Sequence, residues 1–249
     1  MKSMVHVFVG AALVFTFAAA TPVMAAGKCS ELPNNAALQA LLVAAPGGSP
    51  NSPGGGGGLF NGEKMWGAIV NRDGEICSFI ASTTNPTQAW PGSQAIAKAK
   101  AYTANAFSLD SLALSTARLY TFVQPGHSLF GLNNSNPFNP GALAPPKGSS
   151  GGNGQIAGGI ITFGGGVPLY NAAGKIIGGL GISGDTACSD HEIAKKVRDL
   201  AGLNPPGGAL IDDITYSSVD GATPFTHPLC PNTLRNNVFI GNELTASGY

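Results

Sequence analysis

The sequence predicts an α+β domain in which helices flank an antiparallel sheet of about five strands. Three observations carry that expectation. Apolar residues recur in short runs bounded by tight turns, helical periodicity falls between groups of strands, and glycine- and proline-rich stretches separate the ordered blocks. Strands joined by tight turns pair antiparallel, since a parallel pair needs a long crossover, and the helices must then cover the sheet.

The elements follow in order. Residues 34–45 come after Pro33 and place Leu38, Leu41 and Leu42 on one helical face. Residues 64–71 form a strand, Arg72-Asp73-Gly74-Glu75 a turn, and residues 76–82 the returning strand of a hairpin. Ser93 opens an alanine-dense helix that reaches about residue 107, and a second helix is expected over residues 110–120. The alanines of the first of these, at 95, 97, 99, 101, 104 and 106, allow close approach, either to its own sheet or to a second subunit. Three short strands are expected at 159–164, 167–170 and 175–183. The last helix is expected to start at Ser189, where Ser189-x-x-Glu192 reads as a capping box, and to end at Gly202 ahead of Pro205-Pro206.

Before these elements, Lys2 precedes an apolar run over residues 5–20, and Val23-Met24-Ala25 supplies an export cleavage site. Residues 1–25 therefore read as a signal peptide, and the protein is expected in the periplasm or outside the cell. No later stretch is apolar enough to span a bilayer. The 13 basic residues balance the 13 acidic ones, so losing Lys2 leaves one excess acid. That balance excludes a nucleic-acid partner, which needs a clustered basic face. The one dense basic cluster, Lys195, Lys196 and Arg198, lies beside Glu192 and Asp199 and reads as a solvated helix face.

The 36 glycines and 18 prolines concentrate at residues 46–58, 137–154 and in the segment 204–249. The first two read as insertions and the third as an extension of a domain spanning residues 26–203. Within that domain, Ile69-Val70-Asn71-Arg72-Asp73-Gly74 and Lys100-Ala101-Tyr102-Thr103-Ala104 are followed by Gly164-Gly165-Gly166-Val167-Pro168-Leu169 and by residues 174–184, GKIIGGLGISG. These four motifs, in this order, resemble the GlcG/HbpS family, to which the C-terminal domain of PduO-type proteins is related. The resemblance implies a profilin-like, three-layer fold, assembly into a homo-oligomer and, for some members, haem or iron binding or haem degradation. The family is not defined by a catalytic triad, so enzymatic activity is left open, with a non-catalytic role favoured.

Haem iron takes His, Met, Cys or Tyr as an axial ligand. Some haem-binding relatives use a first-helix histidine, but residues 34–45 contain none of these types. After export the histidines are His127, His191 and His227. His191 is the first candidate, in Asp185-x-x-x-x-Asp190-His191-Glu192, with Asp190 or Asp185 able to orient its ring. The bland alternative is that Asp190 and Glu192 only favour the helix N-terminus, with His191 exposed. His127 is the second candidate, on a loop between Phe122 and Phe130. Its Gly126-His127-Ser128-Leu129-Phe130 lacks the last glycine of a hydrolase elbow. Gly179-x-Gly181-x-x-Gly184 matches a dinucleotide fingerprint but sits in a meander, where close helix packing explains it better. Asp185, Asp190, His191 and Glu192 form a weak candidate for a divalent cation, and Trp66 and Trp90 read as packing residues.

Four cysteines remain after export, with no C-x-x-C, which reads as two disulfides in an oxidising compartment. If the first helix runs antiparallel to the first strand, Cys29 comes near Cys77. An extension returning along the last helix brings Cys230 to Cys188. Cys29–Cys77 and Cys188–Cys230 are therefore expected. The function expected is binding of haem, or a similar small tetrapyrrole ligand, with weak haem degradation as an accompaniment. The alternative is a non-catalytic, oligomeric structural or accessory subunit without cofactor. A third reading uses Asp190 and His191 as an acid–base pair.

Overall fold

A computed structural model describes residues 27–143 and 152–245. The segment read as a signal peptide and part of the second insertion lie outside the described residues. Among the described residues no helix is long and apolar enough to cross a membrane.

The first helix, α1 (Asn35–Ala44), is capped by Asn34, whose side chain accepts the amide of Ala37. The hairpin follows as β1 (Trp66–Asn71) and β2 (Ile76–Ala81). Asn71 builds its turn: Oδ1 accepts the amides of Asp73 and Glu75, both at 3.0 Å, and Gly74 takes φ +85°, which a side chain would resist. The alanine-rich helix α2 (Ser93–Phe107) comes next. The strands β3 (Gly166–Tyr170) and β4 (Ile176–Ser183) precede α3 (Ala187–Leu200).

The sheet is antiparallel, in the order β2-β1-β4-β3. It has four strands rather than five, because residues 159–164 do not join it. Gly158 and Gly159 take positive φ, and this segment bonds to side chains instead of a ladder. Thr103 Oγ1 accepts the amide of Ile161, and Thr116 Oγ1 donates to the carbonyl of Phe163.

The expected helix at 110–120 is also absent and is replaced by 3-10 turns at Thr116–Leu119 and Thr121–Val123. Hydroxyls compete with helical bonding there. Ser108 Oγ bonds both backbone groups of Leu114, and Ser115 Oγ donates to the carbonyl of Asp212.

Three layers result. Leu38 and Leu42 from α1, and Ile193, Ala194 and Val197 from α3, pack with Ile69, Leu180 and Ile182 on one face of the sheet. On the other face, Ala97 and Ala101 of α2 pack with Ala68, Val70 and Phe79. Close approach fixes the glycines of β4: a Cβ on Gly179 or Gly181 would fall on the backbone carbonyl of Ala101 or Ala97. Two of the fingerprint glycines thus serve helix–sheet packing, Gly184 instead lies against the backbone of Lys64 and Met65, and the small-residue face of α2 rests on its own sheet.

A fourth covering comes from residues 204–245, which lie along α3. They include the short parallel pair β5 (Thr215–Tyr216) and β6 (Thr226–His227), and the hairpin β7 (Thr233–Arg235) and β8 (Val238–Gly241). Both expected disulfides are present, with Cα–Cα separations of 5.2 Å for Cys29–Cys77 and 6.0 Å for Cys188–Cys230.

Candidate functional site

α3 is capped three residues earlier than the capping box suggests. Thr186 Oγ1 accepts the amide of Ser189 at 3.2 Å, so Thr186 is the cap and Ser189 lies inside the helix. The shift turns Asp190 toward the sheet. Its Oδ2 accepts Lys100 Nζ at 2.6 Å, and its Oδ1 accepts the amides of Gly184 at 3.0 Å and Asp185 at 2.9 Å. Burial raises the Asp190 carboxyl to about 6 despite the opposing charge of Lys100.

Asp190 therefore does not orient His191. That ring faces the extension, with Nε2 at 3.3 Å from Asp213 Oδ1, and neither ring nitrogen makes a hydrogen bond of good geometry. His191 is 1% exposed, contrary to the exposed alternative. Asp185 turns elsewhere again, accepting the amides of Leu59 and Phe60 at 2.7 and 2.8 Å and so anchoring the glycine-rich loop. The four groups weighed as a cation site thus point to different partners.

The basic cluster is a clear correction: Lys195, Lys196 and Arg198 are buried, not solvated. Lys195 Nζ donates to Glu192 Oε1 at 2.5 Å and to Asp213 Oδ2 at 3.0 Å. Lys196 donates to the carbonyl of Gly55. Arg198 makes a forked pair with Asp212 at 2.6 and 2.9 Å. Burial works against the charged Asp213, yet His191 and Lys195 hold it well below the usual carboxylate range. The partners Asp212 and Asp213 come from the extension, which lacks the periodicity that would have revealed it as a cover.

His127 has the opposite setting. It is exposed on a turn in which its amide donates to Gln124 O at 3.0 Å and its carbonyl accepts Phe130 N at 3.1 Å. Leu129 and Phe130 beside it are also exposed, and Phe122 below packs edge-on against Phe225 at 5.7 Å. The donor set suits a haem: an imidazole beside apolar side chains that can cover a porphyrin face. Among the described residues, the other imidazoles and the thioether of Met65 are buried.

His227 was counted in the sequence but given no place. Its Nδ1 is 2.7 Å from the carbonyl of Pro228, and its Nε2 receives the amide of Gly164 at 3.3 Å. That pattern makes it a neutral ring protonated at Nδ1, and burial lowers its pKa to about 4. The spacing His227-x-x-Cys230 was the available signal.

A separate cleft of about 220 Å³ is lined by Phe60, Lys64, Trp90 and Pro91. Phe60 and Trp90 meet edge to face at 5.4 Å. Trp90 is half-exposed there, whereas Trp66 is in the core, stacked on Phe79.

The fold and its histidines define a three-layer α+β domain whose reactive groups are mostly internal and whose accessible imidazole sits on a surface turn. The family model described as "Haem degrading protein HbpS-like" matches residues 60–199, more than half of the chain, and the protein belongs to that family. Among solved structures it is similar to a PduOC:heme complex, at 30% identity over 57% of this chain and 79% of that one, with a TM-score of 0.40. It is also similar to Klebsiella pneumoniae protein ORFY, at 26% identity over 57% and 77%, with a TM-score of 0.41. A third is a double mutant of Streptomyces reticuli HbpS, at 21% identity over 75% and 99%, with a TM-score of 0.39. No curated protein matches the chain.

Proposed function

We propose that this protein binds haem, or a tetrapyrrole of the same shape, at the surface turn carrying His127, with that imidazole as the axial ligand. The observation that carries the reading is access. Of the three histidines among the described residues, only His127 can meet a large planar ligand without displacing the extension from α3. Leu129 and Phe130 supply apolar cover, and the description of the family supports haem as the ligand, with weak degradation accompanying binding. The reading includes export to the periplasm or beyond and assembly into a homo-oligomer, for which the exposed Val238 and Phe239 offer apolar surface. When bound, haem supplies the iron chemistry; the residues of this chain hold the ring and shield one face.

Absorbance titration of the purified protein with haem tests the proposal. A saturable Soret shift is expected, and His127→Ala should weaken binding at least about tenfold, or about 1.4 kcal/mol. His191→Ala should leave the curve unchanged. Binding indifferent to His127→Ala, or no saturable shift at all, overturns the reading.

A further inference from the structure

His227 of β6, Cys230 three residues later and Cys188 in the first turn of α3 converge. One ring nitrogen of His227 and the two Sγ atoms all lie within 4.8 Å of one another, and all three residues are buried. A tetrahedral zinc ion bound to two thiolates and an imidazole holds its ligand atoms roughly 3.5–4 Å apart, so the two sulfurs, joined in the disulfide, must part once that bond is broken, while the imidazole is already within reach.

The surroundings favour that use. The contact between His227 Nδ1 and the Pro228 carbonyl, at 2.7 Å, is the outer-shell bond that fixes the tautomer of a ligating imidazole, and it leaves Nε2 to bind the ion once that atom gives up the amide of Gly164, which it accepts at 3.3 Å. The amide of Cys188 already donates to Cys230 Sγ at 3.2 Å, a bond that would stabilise a thiolate. Cys188 lies in the first turn of a helix, where the dipole favours a thiolate as well. His227 is enclosed, only 2% exposed. The rings of Tyr120 and Tyr216 flank it, and the charges of His191 and Lys100 bear on it. The other bridge differs: the polar side chain recorded beside Cys29 is the amide of Asn71.

We propose that the Cys188–Cys230 disulfide is the oxidised form of a soft-metal site, and that Cys188, His227 and Cys230 bind one zinc-class ion once a dithiol has reduced the bridge. The dithiol gives up two electrons and two protons and becomes a disulfide. The Cys188–Cys230 S–S bond breaks, each Sγ takes one proton, and the metal displaces both protons to solvent as the two Sγ–metal bonds and the imidazole–metal bond form. Two of the three ligands belong to the extension and one to α3, so the ion replaces the covalent bridge as the tie between them.

The test uses the full chain, reduced with a dithiol, freed of it under inert gas and titrated with Co²⁺. One equivalent should bind, with the intense absorption of thiolate-to-cobalt charge transfer, and Zn²⁺ should remove it. The oxidised protein should show none. Cys29→Ser should keep the absorption, Cys188→Ser should lose it, and His227→Ala should weaken binding at least about tenfold. His227→Asn, which retains a polar side chain, serves if the alanine variant does not fold. Absence of the absorption in reduced protein, its persistence in Cys188→Ser, or cobalt affinity unchanged in both His227 variants overturns the proposal.

Discussion

At the scale of single residues, His227 and Asp190 give the protein opposing responses to acid. Burial holds the imidazole of His227 down to about 4, against its ordinary 6.5. Between those values the unfolded chain takes up a proton that the folded protein refuses. The stability present above pH 6.5 is therefore lost as pH falls toward 4, on the order of 3 kcal/mol in full. Asp190 runs the other way. Burial raises it from 3.8 to about 6 despite Lys100, so between those values the folded state keeps a proton that the unfolded state has released. Its contribution favours folding as pH falls. Comparing wild type with His227→Gln separates the two: urea midpoints measured from about pH 7 to about pH 4.5 should fall less steeply in the variant. Equal slopes would mean that His227 titrates freely in the folded state.

At the scale of elements, the packing of α2 on β4 makes a sharp contrast between two glycines. Gly181→Ala would put a methyl group on backbone atoms of Ala97 and Ala101, which cannot rotate away. A loss of about 3 kcal/mol is expected from overpacking. Gly92 precedes the same helix in right-handed helical conformation, with open space where a Cβ would stand. Gly92→Ala should stabilise by about 0.5 kcal/mol, through a less flexible unfolded chain. Denaturant unfolding of both variants decides. The same elements show what sequence patterns can reveal. The hairpin around Asn71 and Gly74 is specified by its own turn residues, and the glycines of β4 were readable as close packing. The helix expected over 110–120 was not correctable from its own stretch, because Ser115 and Thr116 bond to Asp212 and Phe163, far along the chain. The surroundings of His191 were hidden for the same reason, its facing group being Asp213, while the placement of His127 on a loop follows from its own stretch.

At the scale of the molecule, the extension is held on α3 by the Cys188–Cys230 bridge, by the pairs of Asp212 and Asp213 with Arg198 and Lys195, and by a small apolar cluster that includes Ile214 and Tyr216. The bridge joins residues 42 apart in sequence. In the chain-entropy model Cys230→Ser should cost about 3–4 kcal/mol. Limited proteolysis should then cut within residues 204–245 before it reaches the sheet; cuts spread evenly over the chain would contradict that order. The underside of the extension has a consequence for what remains when it lifts. Most segments that cover a domain lie on greasy surface, and losing them makes the domain aggregate. Here the face beneath carries Glu192, Lys195 and Arg198, whose partners in the extension are Asn236, Asp213 and Asp212, and water can solvate these groups about as well as the extension does. A protease that trimmed the chain near residue 204 would leave a particle that stays dispersed, with a newly zwitterionic flank open to its neighbours.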